Sequence, residues 1–256
     1  MSRLQDKVTI ITGAASGMGK EMALLFLDEG AKVVAADINQ DRLDELEKEV
    51  ADKGQSVATT ISNIADKAQV EAMIQLAVDT YGRLDVLVNN AGIMDQMQPV
   101  GDVEDKGWNL IMDVDLTGNF YGMRAAVRQF EKQGGGVIVN VGSIAGISGG
   151  RAGAAYTAAK HGMIGITKST AHMYAKENIR CNMICPGSTA TNISESMGDM
   201  SNYSERIQDR ILSGMVLNPR RAHPREIANV ALFLASDESK VVNGAVITAD
   251  SGWSAY

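Results

Sequence analysis

The amino-acid sequence is poor in cysteine, histidine and long apolar runs, and each scarcity excludes a class of protein. Cys181 and Cys185 are the only cysteines among 256 residues, and their apolar surroundings predict reduced, buried thiols rather than a disulfide framework. The three histidines lack the spacing of metal ligands, so no metal is expected. The apolar stretches, such as residues 31–36 and 86–88, are far too short to cross a membrane.

Positive charge is also scarce. The formal net charge is −7, with 24 Lys and Arg residues scattered among 31 Asp and Glu residues, so nucleic acid is not an expected partner. Residues 1–7 are polar and no apolar stretch typical of a signal peptide follows them, which indicates a cytoplasmic protein. No repeat, linker or low-complexity stretch interrupts the chain, so residues 1–256 are predicted to form a single domain.

Short apolar runs alternate with longer stretches of helical periodicity. Strands are predicted at residues 7–12, 32–36, 56–60, 84–88, 137–141, 179–184 and 245–248. Helices are predicted at residues 17–29, 40–53, 67–81, 104–132, 154–177 and 224–235. Continuous apolar strands between helices indicate an α/β protein with one Rossmann-like, doubly wound parallel sheet and helices on both faces.

One long stretch, about residues 187–218, fits neither pattern. It is rich in Ser, Asn, Met and Gly and lies between the sixth strand and the last helix. Irregular stretches of this length in compact domains are usually functional. We therefore expect a segment that closes over a substrate, and it is called the substrate segment below.

A glycine-rich turn follows the first predicted strand. Residues 12–19 read TGAASGMG, and Gly13, Gly17 and Gly19 allow backbone N–H groups to approach a pyrophosphate at the start of a helix. Ser16 and Met18 lie in the same turn and are included in the predicted nucleotide site. The spacing is GxxxGxG rather than GxGxxG, so a simple tight turn between strand and helix is the alternative.

Asp37 ends the second strand, 18 residues after Gly19, where a carboxylate accepts hydrogen bonds from an adenosine ribose. The same carboxylate would repel the 2′-phosphate of NADP. Arg42, a turn into the next helix, is the only nearby base that could compensate. The sequence therefore predicts NAD as the cofactor, with an ordinary helix N-cap as the alternative role of Asp37.

These features together resemble the one-domain type of the short-chain dehydrogenase/reductase family over nearly the whole chain. The motifs stand in the family's order: the glycine turn at 12–19, Asn-Asn-Ala-Gly at 89–92, Ser143, Tyr-Thr-Ala-Ala-Lys at 156–160, and Pro186 with Gly187. YxxxK alone is common by chance, but with Ser143 thirteen residues before Tyr156 it is specific. The resemblance implies that the chain is an oxidoreductase that interconverts a secondary alcohol and a ketone.

The resemblance also implies roles for individual residues. Ser143, Tyr156 and Lys160 would be catalytic, and Asn90 would steady the central sheet and border the cofactor. The further residues implied in cofactor binding are Asn63, Gly92, Tyr156, Lys160, Pro186, Gly187, and Thr189 or Thr191.

Ketone reduction requires a hydride at carbon and a proton at oxygen. A phenol can supply the proton, but its ordinary pKa near 10 is poorly matched to neutral pH. Lys160 lies one helical turn after Tyr156, so its ammonium group would favour the phenolate. Lowering the phenol pKa by about 3 units takes roughly 4 kcal/mol of interaction, which a partly dry site can supply. Ser143 would donate a hydrogen bond to the substrate oxygen as charge builds there.

Asp115 departs from the family pattern, which has asparagine in this segment. In the family, that asparagine bends the helix and holds a water linked to the lysine, and Asp115 is included among the catalytic residues. Three interpretations compete. Asp115 holds the water by acceptance alone, which is favoured; it pairs with Lys160 and weakens the effect of the lysine on Tyr156; or the relay is lost and activity is low.

The substrate pocket is predicted to be largely apolar. Its candidate walls are Met94, Ile144, Gly146, Ser188, Met197 and Tyr203. They indicate a neutral small-molecule ketone or alcohol, and the resemblance implies a homotetramer.

Two alternative functions stay open, a 3-oxoacyl-acyl-carrier-protein reductase and a non-catalytic NAD-binding regulator. An epimerase of the nucleotide-sugar type would need a further substrate domain, for which this length leaves no room.

Overall fold

Seven parallel strands form one sheet at the centre of the protein. The computed structural model describes residues 2–197 and 203–255. The strands are β1 (Val8–Thr12), β2 (Lys32–Asp37), β3 (Ala58–Ile61), β4 (Val86–Asn89), β5 (Gly136–Val141), β6 (Ile179–Pro186) and β7 (Val246–Ala249). Their order across the sheet is β3-β2-β1-β4-β5-β6-β7, and every pairing is parallel. The predicted doubly wound α/β fold is confirmed.

Helices cover both faces of this sheet. They are α1 (Gly17–Asp28), α2 (Gln40–Asp52), α3 (Lys67–Tyr81), α4 (Asp105–Met112), α5 (Asn119–Gln133), α6 (Ala154–Met173), α7 (Glu205–Arg210) and α8 (Pro224–Ala235). Among the described residues, no helix is both long enough and apolar enough to span a bilayer. The prediction of a helix at 154–177 is too long, because α6 stops at Met173 and a short 3₁₀ turn follows.

The strands are largely apolar on both faces because alternate side chains enter two different cores. One core lies under α1 and α8, and from the strands it takes Ile11, Val33, Val88, Val139 and Ile184. The other lies under α3, α5 and α6, and from the strands it takes Ile10, Val34, Leu87, Ile138 and Cys181. Both cysteines are free and buried, as expected.

The prediction of one uninterrupted helix at 104–132 is wrong. A π-helical segment, Asp113–Gly118, separates α4 from α5. Gly118 lies against the loop between β3 and α3, where an added Cβ would be 2.5 Å from the carbonyl oxygen of Ile64. The wider turn leaves Asp115 with no exposed surface, and such turns are frequent at functional sites.

Residues 187–197 and 203–218 of the substrate segment are more regular than predicted, and residues 198–202 lie outside the described residues. The segment contains a 3₁₀ turn at Ile193–Met197, the helix α7 and a 3₁₀ stretch at Leu212–Leu217. The chain end is tied to this segment, because Trp253 Nε1 donates to the carbonyl oxygen of Gly214 at 3.2 Å. The Arg151 guanidinium stacks on the Trp253 ring at 4.4 Å and donates to the same Gly214 oxygen at 3.3 Å.

Candidate active site

The predicted motifs meet at one edge of the sheet. All seven strands are parallel, so their carboxyl ends share that edge, and loops after the ends of parallel strands form the usual crevice for ligands. The glycine turn follows β1, Asp37 ends β2, the Asn-Asn-Ala-Gly motif begins at the end of β4, and Ser143 follows β5. Residues far apart in the sequence are therefore neighbours here.

The glycine turn folds tightly against the start of α1. Gly13 has a φ of +62°, a conformation that side chains rarely adopt. At Gly19 an added Cβ would lie 2.0 Å from the carbonyl oxygen of Gly13, so the helix packs directly on the turn. Ser16 is the N-cap of α1, but its side chain makes no capping hydrogen bond. The N-terminus of α1 thus presents N–H groups to the cleft, as phosphate binding requires.

Asn90 joins the glycine turn to the end of β4. Its Nδ2 donates to the carbonyl oxygens of Thr12 at 2.9 Å and Gly13 at 3.2 Å. In return, Thr12 Oγ1 accepts hydrogen bonds from the backbone N–H groups of Asn90 and Ala91, each at 3.0 Å. Asn90 Oδ1 is buried without a partner among the described residues, so an unpaired acceptor remains beside the cleft. These contacts fit the structural role expected of Asn90.

A cavity of about 320 Å³ runs along this edge. Of the residues expected to hold the dinucleotide, those that line it are Gly13, Ser16, Gly17, Met18, Asp37, Asn63, Asn90, Gly92 and Thr191. Gly19, Tyr156, Lys160, Pro186, Gly187 and Thr189 lie outside its lining. Of the two candidate threonines, Thr191 therefore faces the cleft, whereas Thr189 forms a bridge with Ala222. The donor set and the glycine cradle fit a dinucleotide.

The carboxylate of Asp37 points into the cleft and does not cap α2. Its Oδ2 accepts from the backbone N–H of Ala15, and its Oδ1 from that of Asn39, each at 3.0 Å. The N-cap of α2 is Asn39, whose Oδ1 accepts from Arg42 N at 3.0 Å. The alternative role of Asp37 as a helix N-cap is therefore wrong. Two carboxylate oxygens offer about four acceptor sites, so Asp37 retains capacity for ribose hydroxyls.

Ser143, Tyr156 and Lys160 converge below the cleft. Ser143 caps a 3₁₀ turn, Ile144–Gly146, and accepts from Ala145 N at 3.1 Å. Tyr156 lies in the first turn of α6, and Lys160 Nζ is 5.1 Å from the centre of its ring. Tyr156 is 4% exposed and Lys160 is 3% exposed. The phenol and the amine thus share one nearly dry site, and the half-buried Ser143 is hydrogen-bonded to the phenol.

Asp115 forms a direct ion pair with Lys160. Its Oδ1 lies 2.9 Å from Lys160 Nζ, with both side chains buried, and its Oδ2 accepts from Ile93 N at 3.3 Å. At Gly92 an added Cβ would lie 2.5 Å from Asp115 Oδ1, so glycine makes room for the carboxylate. This contact is the one that the second interpretation of Asp115 requires, whereas the water-holding interpretation stays a prediction. The asparagine-to-aspartate change gives the amine a charged partner within direct reach.

Burial and the charges of this ion pair alter the pKa values of Lys160 and Tyr156. Burial lowers the pKa of Lys160, but Asp115 and the Tyr156 phenol outweigh burial and raise that pKa to about 12. Burial is also the largest influence on Tyr156 and raises its pKa, assisted by the charges of Asp115 and Asp95. Lys160 and the Ser143 hydrogen bond act in the opposite direction without reversing the shift. Without a bound dinucleotide, burial therefore raises the pKa of the phenol. The expected lowering of this pKa, which includes the charge of oxidised nicotinamide, stays a prediction.

Asp95 is a site residue that sequence reasoning missed. Its Oδ1 accepts from Gly153 N and Met97 N, and its Oδ2 from Tyr156 N, all at 3.0 Å. The N-cap of α6 is Gly153, which has no side chain to serve the first turn, so Asp95 serves it from another loop. Gly153 at the start of α6 was the one available signal in the sequence, because a helix without an N-cap side chain needs a hydrogen-bond acceptor from another part of the chain.

Three of the predicted substrate walls lie with Tyr156. Met94, Met197 and Tyr203 belong to the same apolar cluster as Tyr156. Ser196 Oγ accepts from Met94 N at 2.8 Å, which fastens the substrate segment over this cluster. The other predicted walls are placed differently. Ile144 is buried, Gly146 packs against the Lys160 carbonyl, and the Ser188 carbonyl accepts from Ala222 N at 2.8 Å.

The chain is similar to known oxidoreductases over its whole length. A family model described as enoyl-(acyl carrier protein) reductase matches residues 13–254. The chain is 43% identical to 3beta-hydroxysteroid dehydrogenase 2 of Eggerthella lenta, over 99% of this chain and 96% of that protein. It is 42% identical to a 3-oxoacyl-(acyl-carrier-protein) reductase of Thermotoga maritima, over 98% of both.

A solved structure shares the same architecture. The crystal structure of levodione reductase superimposes with a TM-score of 0.90 at 33% identity, over 99% of this chain and 100% of that one. The shared architecture therefore covers nearly the whole length of both chains.

Proposed function

Since the chain belongs to the short-chain dehydrogenase/reductase family, we propose that it is an NAD(H)-dependent oxidoreductase that interconverts a secondary alcohol and a ketone. The observation that carries the proposal is the meeting of Ser143, Tyr156 and Lys160 in one buried site beside the nucleotide cleft. Tyr156 is the general acid in reduction and the general base in oxidation. The non-catalytic alternative would leave this buried constellation without a role.

The residues divide the work between proton and charge. The nicotinamide, when bound, supplies or accepts the hydride. The Ser143 hydroxyl donates a hydrogen bond to the substrate oxygen, which carries negative charge in the transition state. The Tyr156 phenol transfers its proton to that oxygen, and its raised pKa keeps it protonated for this step. Lys160 stabilises the phenolate that forms, while Asp115 holds the lysine in place.

NAD is the proposed cofactor because of Asp37. Its carboxylate lines the cleft at the end of β2, where it would accept hydrogen bonds from the ribose hydroxyls of NAD and would repel a 2′-phosphate. Asn63 lines the same end of the cleft, and its Oδ1 accepts from Ala65 N at 3.0 Å, which leaves a further lone pair for an adenine amino group.

The proposed substrate is a neutral, alicyclic ketone or alcohol. Met94, Met197 and Tyr203 supply apolar walls beside Tyr156. Two similar proteins, the 3beta-hydroxysteroid dehydrogenase and levodione reductase, are named for substrates of this kind. The relative named as a 3-oxoacyl-(acyl-carrier-protein) reductase favours an acyl thioester as the second candidate.

We also propose a homotetramer. Trp108, Leu110 and Phe120 lie on α4 and α5 and are 39%, 52% and 41% exposed. Large apolar side chains grouped on neighbouring helices are typical of an interface between copies of a chain.

The test is a panel of alicyclic ketones, secondary alcohols and a short 3-oxoacyl thioester, assayed by NADH absorbance. We expect turnover of ketones and alcohols with NADH, and Tyr156→Phe should abolish it by removing the transferable proton. Binding of NADH to Tyr156→Phe, followed by nicotinamide fluorescence, should stay within about twofold of wild type because the phenol lies outside the cleft lining. Full activity of that variant would refute Tyr156 as the acid and base.

A further inference from the structure

We propose that Glu195, a residue of the substrate segment, is a second determinant of NAD over NADP. It does so by holding Arg42, the cation at the adenosine end of the cleft, and by adding a second carboxylate near Asp37. The inference rests on the proposed use of NAD and adds to it a selectivity residue from an element that also covers the substrate.

The geometry is an ion pair that crosses the mouth of the cleft. Arg42 Nη2 lies 3.2 Å from Glu195 Oε2 and 3.4 Å from Glu195 Oε1. Asn192 Nδ2 donates to Glu195 Oε2 at 3.4 Å and steadies the carboxylate from its own segment. Hydrogen bonds from Arg42 and Asn192 hold the pKa of Glu195 below its usual range, so Glu195 is ionised at neutral pH.

Arg42 is the cation that a 2′-phosphate would need. Among the described residues that line the cleft, it is the one Lys or Arg, and it shares that lining with Asp37 and Ile38. Arginine binds phosphate through two parallel hydrogen bonds, which makes it the usual partner of the 2′-phosphate in NADP. With its Nη2 committed to Glu195, Arg42 is a poorer phosphate ligand, and the added carboxylate repels the phosphate directly.

The segment that carries Glu195 is fastened at both ends of the cleft. Glu195 binds Arg42 on the adenosine side, while Ser196 Oγ accepts from Met94 N beside the apolar cluster that contains Tyr156. Between them, Thr191 lies close enough to Gly17 that an added Cβ there would be 3.1 Å from it. Closure over the substrate and rejection of the 2′-phosphate are therefore functions of one continuous stretch of chain.

The competing interpretation is an ordinary surface ion pair. Glu195 and Arg42 side chains are 62% and 37% exposed, and exposed pairs contribute little to stability. Such a pair would fasten the segment without regard to which dinucleotide is bound. Its removal would then change NADH and NADPH binding by the same factor, whereas a selectivity residue changes them differently.

The experiment measures dissociation constants of NADH and NADPH by nicotinamide fluorescence, without any substrate. Glu195→Gln should tighten NADPH about three- to tenfold and leave NADH within about twofold, because one exposed charge near another acts on this scale. The gain should shrink at high salt. In an Asp37→Ser background it should be larger, since the first carboxylate no longer repels the phosphate.

Two further variants identify the cause. Arg42→Gln combined with Glu195→Gln should lose most of the NADPH gain, because the released arginine supplies it. The matched control is Glu238→Gln, which breaks an exposed ion pair with Arg3 and should change neither affinity. Thermal unfolding of each variant confirms that the fold is intact.

An unchanged NADPH affinity in Glu195→Gln, or equal changes for both dinucleotides, would overturn the role of Glu195. A wild-type protein that already binds NADPH more tightly than NADH would instead overturn the proposed cofactor. The wild-type ratio and the variant ratio are separate measurements, so the two failures are distinguishable.

Discussion

Asp115 places a full negative charge against a buried amine where the resembled family has a neutral amide. The contact of 2.9 Å with Lys160 makes the pair formally neutral before any dinucleotide binds. Part of the positive potential that would acidify the Tyr156 phenol is thereby cancelled. The phenol stays protonated in the protein alone, which suits proton donation to a ketone.

Replacement of Asp115 by Asn should move both pH profiles to lower pH. The charge of Asp115 raises the pKa of Tyr156, so its loss lowers that pKa. Reduction needs the neutral phenol and declines as pH rises through that pKa, so its basic limb moves down. Oxidation needs the phenolate, so its acidic limb moves down as well. Steady-state kinetics across pH in both directions measures the shift.

The matched control is Asp113→Asn, which removes the same charge from an exposed position in the same π-helical segment. It should leave both limbs in place. Limbs that stay unmoved in Asp115→Asn would show that the ion pair has no influence on the phenol.

At this scale, the positions of the motif residues were predictable because each follows the end of a parallel strand or lies one helical turn from another. The direct contact of Asp115 with Lys160 was not, since it depends on a π-helical turn and on the room left by Gly92. The roles of these residues stay predictions. Their meeting in one site is an observation.

Among the elements, α6 carries Tyr156 and Lys160, the proposed catalytic residues, and begins in an unusual way. Gly153 precedes it without a side chain, and the loop after β4 supplies the missing acceptors. Asp95 accepts from Gly153 N and Tyr156 N, and the Gln98 carbonyl accepts from Ala154 N at 2.9 Å. The position of Tyr156 therefore depends on a loop about 60 residues earlier in the chain.

Asp95→Ala should lower kcat by at least about tenfold, because buried N–H groups at the start of α6 lose their acceptor and Tyr156 loses its fixed position. The same loss should reduce the free energy of unfolding by about 1–3 kcal/mol. NADH affinity should change little. Single-turnover kinetics and chemical denaturation measure the two effects.

Asp95→Asn distinguishes the effect of the Asp95 charge on Tyr156 from the hydrogen bonds that Asp95 accepts at the start of α6. It retains the shape and one acceptor oxygen but removes a charge that raises the pKa of Tyr156, so the basic limb of reduction should move to lower pH. A purely structural role for Asp95 would leave that limb where it is in wild type.

Periodicity explains which elements were predictable. Strands buried on both faces and helices with one apolar face gave the sheet and its helices correctly, because those patterns are local. The break between α4 and α5 was missed, since a π-helical turn of six residues disturbs the helical period too little to detect. Asp95 was missed because the acceptor and the donors belong to different elements.

At the scale of the whole molecule, Trp253 and Arg151 hold the substrate segment, which we expect to close over the substrate. Trp253 is 6% exposed, and its indole and the Arg151 guanidinium both donate to Gly214 of the substrate segment. The sequence predicted a covering segment but not this tie, because the three residues are far apart in the chain. Their contact exists only in the folded protein.

Trp253→Ala should loosen the substrate segment by removing the ring on which Arg151 stacks and the hydrogen bond to Gly214. Limited proteolysis should cut the segment several-fold faster than in wild type. Trp253→Phe keeps a stacking ring without the N–H donor and should fall between the two. Equal cleavage rates in all three proteins would show that the tie does not hold the segment.

The buried position of Tyr156 has a consequence for which step limits the rate of turnover. Tyr156 is 4% exposed and shares an apolar cluster with Met197 and Tyr203, so we expect substrate to reach the phenol, and product to leave it, only when neighbours in this cluster move aside. If that movement is slower than bond breaking, deuterium in place of the transferred hydrogen leaves the turnover number almost untouched. In such an enzyme, a conformational step rather than hydride transfer limits the rate of turnover.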